Sequence, residues 1–199
     1  MDLIERIREA QHRWNVLRHP FYERWDAGAL SADELRFYAG QYGHAVAAVA
    51  HAARASATYG TPEHAAEEAA HVMLWDAFTH AVGADPTAEA TPETAACAES
   101  WAPQEALAAT AVLYAVESAQ PPIAETKLRG LVAHYGFRDD SPALAYFHVH
   151  AERDDAHGAR AERILHAEAS AEDEDRLVAA AEAALRGNWL LLDGVERAG

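Results

Sequence analysis

The spacing of apolar residues along the chain is typical of α-helices. After Ser31, apolar side chains recur at Leu35, Tyr38 and Tyr42, in steps of three and four residues that place them on one helix face. Ser31 and Glu34 form the capping-box pattern that begins such a helix. We find no stretch of alternating β-branched residues bounded by turn residues, which is the usual signal of a strand. The pattern therefore predicts an all-α protein.

Proline, glycine and capping residues divide the chain into segments joined by short links. Thr61-Pro62 and Thr91-Pro92 each place a capping residue before a proline at the first helical position, and Ser170 to Asp173 resembles a further start. Because the links are short, neighbouring helices should pack antiparallel in one bundle. No repeat or shift in composition marks a boundary, so we expect a single domain over residues 1–199. The predicted helices span residues 2–18, 21–27, 32–58, 62–82, 92–100, 104–119, 122–135, 142–167 and 171–194.

Charge and composition exclude several classes of function. The formal net charge is −16, which repels phosphate backbones, so a nucleic-acid partner is not expected. No apolar run reaches the length of a membrane span, and the charged, amphipathic start is unlike a secretory signal peptide. A single cysteine, Cys97, excludes an internal disulfide. We therefore expect a cytoplasmic protein without a membrane partner.

The sharpest chemical signal is the spacing of His150, Asp154 and His157. These positions are i, i+4 and i+7, so on a helix the three side chains share one face. Two imidazoles with a carboxylate are ligands that suit iron or manganese. Tyr146 and Phe147 lead into the triad, which indicates a largely buried helix whose polar groups need partners. The segment therefore predicts a metal site rather than a polar outer face.

Two further segments supply residues of the metal-ligand type. Glu67 and His71 are spaced i, i+4 and can chelate one ion, whereas Glu68 and His71 are spaced i, i+3, as in bundle di-iron proteins, so both acids are candidates. Glu117 lies in an apolar segment, where a carboxylate must be paired, protonated or bound to a metal. Together the three segments offer three carboxylates and three imidazoles, which suits two metal ions, since a single zinc would need fewer ligands.

Three stretches of the chain carry a resemblance to a known family. They are Tyr114-Ala-Val-Glu-Ser-Ala-Gln-Pro-Pro-Ile-Ala-Glu-Thr-Lys127, then Leu144-Ala-Tyr-Phe-x-x-His150-x-x-x-Asp154-x-x-His157, and His19-Pro-Phe-Tyr22 with the residues that follow as far as Tyr42. Together they resemble the haem-oxygenase-like di-metal oxidase family, and within it the members that form p-aminobenzoate. The resemblance implies an all-α, haem-oxygenase-like (TenA/PqqC-like) bundle of seven helices that binds no haem.

By position, the resemblance also implies a set of metal ligands and cofactors. The cofactors are two metal ions, Fe/Fe or Mn/Fe, with O2 and an external reductant supplied by an electron donor. The loop before His71 is shorter than in the family, so Glu67, Glu68 and Glu63 are all open as the first acid. The implied ligands are Glu67, His71, Glu117, His150, Asp154 and His157.

Catalytic roles for Tyr22, Tyr38 and Lys127 follow from the same resemblance. Members of this type build p-aminobenzoate, a folate precursor, from one of their own tyrosines, with a lysine supplying the amino nitrogen. Lys127 is the single lysine beside fifteen arginines, and arginine cannot act as an amine donor. Val116 departs from the family, which has a tyrosine at that position. By analogy with the fold we expect a homodimer.

Three other functions stay open at this point. An oxygenase of the same family that acts on a free small molecule, such as an amino acid or a fatty acid, would need neither Tyr22 nor Lys127. A hydrolase of the thiaminase II type would need a cysteine nucleophile, and Cys97 lies outside the three ligand-bearing segments. A metal-free interaction protein would leave a buried acid and a His/Asp/His face without explanation.

Overall fold

The helices predicted from the sequence are present in a computed structural model of the chain. The structure describes residues 1–60 and 62–198, and the side chains of all of these except residues 153–155. Ser31 Oγ accepts a hydrogen bond from Glu34 N while the Glu34 side chain accepts one from Ser31 N, so the predicted capping box is confirmed. Thr91 accepts from Thr94 N ahead of Pro92, as predicted. The other predicted cap, Thr61, lies outside the described residues.

The described residues form an all-α bundle, and none of them is in a strand. Short 3-10 turns at Val16–Arg18, Ser56–Thr58 and Pro142–Leu144 precede or follow three of the helices. None of the described helices is both long enough and apolar enough to cross a bilayer. In chain order the α-helices are α1 (Leu3–Arg13), α2 (Pro20–Asp26), α3 (Ala32–Ala55), α4 (Pro62–Val82), α5 (Pro92–Trp101), α6 (Ala106–Glu117), α7 (Gln120–His134), α8 (Ala145–Glu168) and α9 (Glu174–Ala198).

Some helix ends differ from the prediction, for local reasons. The first helix ends at Arg13 rather than near residue 18, because the Asn15 side chain accepts from Leu17 N and starts a separate turn. The last begins at Glu174, since Ser170 donates to the Asp173 carboxylate and closes a turn ahead of it. The described residues form nine α-helices, the number that the breaks in the sequence predicted and two more than the seven implied by the resemblance.

Helix α6 is the central element of the bundle. All of its residues from Leu107 to Glu117 are buried, because it packs against α3, α8 and α9. Around it, α3 packs along α4 and α5, and α7 packs along α8. An acid at the last position of the most buried helix, Glu117, therefore lies in the interior, where it is 2% exposed.

An aromatic core fills the space between α2, α3, α4 and α8. Trp25, Tyr38 and Trp75 are almost fully buried, and the Tyr38 ring centroid lies 5.5 Å from that of Trp25 and 6.2 Å from that of Trp75. Both contacts are edge-to-face, an arrangement that aromatic pairs favour. The side chain of Lys127 enters this core from α7 and is 1% exposed. A basic group thus shares the interior with large aromatic rings.

Helix α7 approaches α2 closely at Gly130. A Cβ at this position would lie 2.5 Å from two atoms of the Trp25 indole and 3.2 Å from the Trp25 carbonyl oxygen. Trp25 Nε1 donates to the Lys127 carbonyl at 3.2 Å, which fixes the indole across α7. Only a glycine permits this approach without displacement of the indole, and the approach brings Lys127, one turn earlier on α7, into the core.

We predict that Gly130→Ala destabilises the protein by about 1–3 kcal/mol, because the added methyl group overpacks against Trp25. Gly60→Ala is the control: the nearest atom to its added Cβ is the Ser56 carbonyl oxygen, at 3.4 Å. That change should alter stability by less than ~0.5 kcal/mol. Urea unfolding followed by circular dichroism measures both variants. Equal free energies of unfolding for the two would contradict the close approach.

Candidate metal centre

Helices α4, α6 and α8 bring four side chains of the metal-ligand type together in the interior. One ligand-type atom from each of His64, Glu68, Glu117 and His157 lies within 4.8 Å of the others. The first three residues are buried, and the His157 side chain is 11% exposed. His64 Nε2 lies 3.0 Å from Glu117 Oε1. Two imidazoles and two carboxylates are therefore concentrated at one point inside the bundle.

His71 and His150 adjoin this group, and Glu68 is the member of the group that contacts His71. Glu68 Oε1 is 3.0 Å from His71 Nδ1, 3.8 Å from His64 Nε2 and 3.8 Å from His157 Nδ1. The His71 and His150 rings are 4.6 Å apart between centroids. The cluster thus contains four imidazoles and two carboxylates from three helices among the described side chains.

The structure separates the three acids that the sequence left as alternatives. Glu68 is 3% exposed and faces the cluster, whereas Glu63 is exposed. Glu67 has a side chain that is 46% exposed and contacts His157 Nε2 at 3.1 Å from the solvent side. Of the other predicted ligands, Glu117, His71, His150 and His157 are in the cluster, and the side chain of Asp154 lies outside the described residues.

His64 is the cluster residue that the sequence analysis missed. The signal was present, because His64, Glu68 and His71 are spaced i, i+4 and i+7, the same spacing as His150, Asp154 and His157. The sequence analysis paired His71 with Glu67, which lies on a more exposed face of the same helix. Comparison of the two segments, rather than a search of each alone, would have found it.

The electrostatics of the cluster favour the protonation states that bind metals. Burial, with the neighbouring charge of His71, lowers the pKa of His150 to about 3, so its imidazole is neutral near pH 7. For Glu68, burial alone would raise the pKa, but the hydrogen bond and charge of His71 outweigh it, and the pKa is lowered. Neutral imidazoles and ionised carboxylates are the forms that bind a cation. The residues present therefore fit a site for iron or manganese.

The three predicted catalytic residues lie together in a second group, the tyrosine–lysine chamber, formed by Tyr22, Tyr38, Tyr42 and Lys127. The hydroxyl oxygens of Tyr22 and Tyr38 are 3.3 Å apart and share a hydrogen bond. Lys127 Nζ lies 5.8, 5.6 and 4.1 Å from the ring centroids of Tyr22, Tyr38 and Tyr42. Burial lowers the pKa of Lys127 to about 7. No described carboxylate lies within 4.0 Å of its amine, so aromatic faces are its main surroundings.

A continuous series of rings connects the cluster to the chamber. The Tyr146 ring centroid lies 4.2 Å from that of His150 and 4.9 Å from that of Trp75. Trp75 in turn is 5.0 Å from Tyr42 and 6.2 Å from Tyr38. The sequence analysis used Tyr146 only as a sign that its helix is buried and gave Trp75 no place in the site. Their positions between the two groups depend on three-dimensional packing, which no spacing along the chain shows.

Cys97, the nucleophile that a thiaminase II-type hydrolase would require, is elsewhere. It is on α5, which packs against α9, and not on a helix that carries the cluster. Its side chain is fully buried, and burial raises the pKa of the thiol. A buried thiol with a raised pKa is a poor nucleophile. The structure therefore does not favour a hydrolase of that type.

The fold and the cluster together are those of a haem-oxygenase-like redox protein. Residues 42–189 match a family described as iron-containing redox enzymes, and the chain belongs to this family. A 4-aminobenzoate synthase from Nitrosomonas europaea is 31% identical, with 96% of this chain and 89% of that protein covered. Another, from Chlamydia muridarum, is 30% identical, with 97% and 88% covered. The family resemblance predicted from the sequence is confirmed.

Solved structures agree on the fold. A protein of unknown function with a haem-oxygenase-like fold from Shewanella denitrificans has a TM-score of 0.78 at 18% identity, covering 100% of this chain and 93% of its own. A TenA homologue from Pseudomonas syringae has a TM-score of 0.75 at 19% identity, covering 98% and 91%. The predicted all-α, haem-oxygenase-like fold is therefore confirmed.

The buried amine predicts how stability depends on pH. Since Lys127 has a pKa of about 7 in the folded protein and about 10.5 when unfolded, the unfolded chain holds the extra proton between these values. Stability attributable to this residue should therefore rise with pH across the window, by up to about 1.4 kcal/mol per pH unit, and be constant below it. The difference in unfolding free energy between the wild type and Lys127→Met, from urea unfolding, should follow this slope. If the unfolding free energies of the two proteins change with pH in parallel, the pKa of Lys127 is not lowered in the folded protein.

Proposed function

We propose that the protein is a non-haem di-metal oxygenase that forms p-aminobenzoate, a folate precursor, from its own Tyr22. Dioxygen is the oxidant, an external donor supplies electrons, and Lys127 supplies the amino nitrogen. The phenolic oxygen of Tyr22 would leave as water when its ring carbon bonds to Nζ, and the Lys127 Cε–Nζ bond would break to leave Cε as an aldehyde. The Tyr22 Cα–Cβ bond would break, and dioxygen would oxidise Cβ to the carboxylate of the product. The observation that carries this proposal is the tyrosine–lysine chamber, connected by contacting aromatic rings to a buried histidine and carboxylate cluster. The names of the relatives from Nitrosomonas europaea and Chlamydia muridarum support it.

The proposed metal centre takes its first acid from Glu68 rather than Glu67. Glu68 is buried within reach of His71, whereas the Glu67 side chain is half exposed. When bound, two ions, Fe/Fe or Mn/Fe, supply the activation of dioxygen. Asp154 is included from its spacing with His150 and His157. The proposed ligands are Glu68, His71, Glu117, His150, Asp154 and His157.

Tyr22 is the side chain best placed to be consumed. Burial raises its pKa well above the ordinary value, with a further contribution from Tyr42, so Tyr22 stays a neutral phenol. Its hydroxyl shares a hydrogen bond with that of Tyr38, 3.3 Å away, which helps to hold the Tyr22 ring in a fixed position. A ring that is fixed beside its reaction partners reacts at a high effective concentration. This favours an internal tyrosine over capture of a free substrate.

Lys127 meets the chemical requirements of a nitrogen donor. An ammonium group has no lone pair, so the amine must be neutral before it can attack an oxidised ring. Burial among aromatic rings lowers its pKa to about 7, which supplies the neutral amine at ordinary pH. Its Nζ lies 5.8 Å from the Tyr22 ring centroid, inside the same closed chamber. An arginine at this position would stay charged.

Tyr146 and Trp75 provide the route by which an electron leaves the chamber. Their rings lie 4.9 Å apart between centroids, with His150 on one side and Tyr42 on the other. An electron lost from Tyr22 could therefore reach the cluster through contacting rings, without movement of the backbone. Val116, next to Glu117, has no ring, so this route does not use the tyrosine of the family at that position.

An oxygenase that acts on a free small molecule is the second candidate. A cavity of about 330 Å³ adjoins the core and is lined in part by Val116, Gln120 and Trp101. Gln120 Nε2 donates to the Tyr42 hydroxyl, so this cavity adjoins the wall of the chamber. A free substrate, such as an amino acid or a fatty acid, would occupy that space. The reaction would then need neither Tyr22 nor Lys127, so substitution of these two residues distinguishes the two functions.

We propose in addition that the protein acts as a cytoplasmic homodimer, without a nucleic-acid or membrane partner. The net charge of −16 supports the exclusion of nucleic acid. Dioxygen and an electron donor are the partners that the reaction requires. The homodimer is proposed by analogy with the fold.

We predict that the protein converts labelled Tyr22 and Lys127 into labelled product. Since Lys127 is the single lysine in the chain, protein grown with lysine labelled by ¹⁵N at Nζ carries that label at one position only. Protein that also contains ring-¹³C tyrosine is loaded with metal, then given reductant and oxygen. Mass spectrometry should find p-aminobenzoate with both labels, and peptide mapping should find Tyr22 and Lys127 altered.

Tyr22→Phe and Lys127→Met should each abolish the product while they retain the bound metal. Tyr59→Phe, at an exposed tyrosine outside the chamber, is the matched control and should form product normally. Full product formation by Tyr22→Phe would exclude self-consumption. Oxygen uptake without labelled product would instead favour the oxygenase that acts on a free substrate.

A further inference from the structure

His64 lies at the cluster although neither the resemblance nor its spacing had assigned it a role. Its side chain is 8% exposed, and its Nε2 lies 3.0 Å from Glu117 Oε1 and 3.8 Å from Glu68 Oε1. The His64 and His157 rings are 4.4 Å apart between centroids, so two imidazoles from different helices face the same two acids. We propose that His64 is a metal ligand, which completes with Glu68, Glu117 and His157 the donor set of one of the two ions. This inference rests on the proposed metal centre.

The local sequence explains how His64 reaches this position. His64, Glu68 and His71 lie one turn apart along a single face of α4, and all three are buried. Glu63 and Glu67, one position before two of them, are exposed, and Glu67 contacts His157 from the solvent side. The same His-x-x-x-acid-x-x-His spacing recurs at His150 to His157 on α8, which contacts α4. Two helices with equivalent ligand patterns therefore face each other across the end of α6.

The contacts divide the cluster into two donor sets. His64, Glu117 and His157 form one set, whose ligand-type atoms lie within 4.8 Å of one another and of Glu68. His71 and His150 form the other, with their rings 4.6 Å apart and His71 Nδ1 3.0 Å from Glu68 Oε1. Glu68 Oε1 is within 3.8 Å of an imidazole nitrogen in each set, at His64 and at His71. A carboxylate in this position can bridge two ions. Without His64, the first set would offer a single imidazole against two carboxylates.

The competing role for His64 is positional: it would hold Glu117 through a hydrogen bond and touch no metal. The variants His64→Leu and His64→Gln separate the two roles. Leucine removes both functions, whereas the glutamine amide can donate to Glu117 but is a weak ligand for manganese compared with imidazole. His80→Leu, at an exposed histidine on the same helix, is the matched control.

The test is a titration of each metal-free protein with Mn²⁺ alone, followed by elemental analysis and electron paramagnetic resonance. Wild type and His80→Leu should bind two Mn²⁺ per chain and give the spectrum of a coupled pair. His64→Leu and His64→Gln should each retain one tightly bound, magnetically isolated Mn²⁺. For the other site, we expect a loss of affinity beyond the ~10–100-fold that removal of an outer-shell partner costs.

Two Mn²⁺ at wild-type affinity in His64→Gln would overturn the ligand role and leave a hydrogen-bonding one. Two in His64→Leu would exclude any role in the site. Circular dichroism of the metal-free variants checks their folding, and His64→Gln decides the question if His64→Leu does not fold. Failure of the wild type itself to bind two ions would refute the proposed metal centre. If instead the wild type and both variants bind two ions, the metal centre stands and only the ligand role of His64 is refuted.

Discussion

Burial of Glu117 at the end of the most buried helix is the constraint on which the site depends. A carboxylate removed from water is costly unless other groups meet it. Helix α4 supplies His64, 3.0 Å away, and α8 supplies His157. Glu68 adds a second buried acid, which contacts His71 in turn. Cations held between these groups would offset both negative charges, so the interior of the bundle fits a metal centre.

The same dry interior gives Lys127 its chemistry. Large rings surround the amine, and burial lowers its pKa to about 7. Some of these rings also connect the chamber to the cluster, through Trp75 and Tyr146. Packing in the core, the proton affinity of Lys127 and the proposed path for an electron therefore involve one set of aromatic side chains. Gly130 is part of this arrangement, because it allows Trp25 to lie across α7.

Helical periodicity, caps and prolines were sufficient to predict the all-α fold and most helix bounds, since these signals are local. The spacing of His150 and His157 likewise predicted a shared face. The choice of Glu68 over Glu67 depends on which side of α4 faces α6, which spacing on one helix does not determine. His64 was missed although its spacing with Glu68 and His71 repeats that of the triad on α8, and its contact with Glu117 on another helix shows its position in the cluster. Contacts between helices are the part that a single sequence leaves open.

The central claim is that this cluster holds two metal ions. Anomalous scattering at the iron and manganese edges, from crystals of the metal-loaded protein, measures this directly. The account predicts two peaks, one beside His64 and Glu117 and one beside His71 and His150, with Glu68 between them. A single peak, or two ions bound outside the cluster, would contradict it.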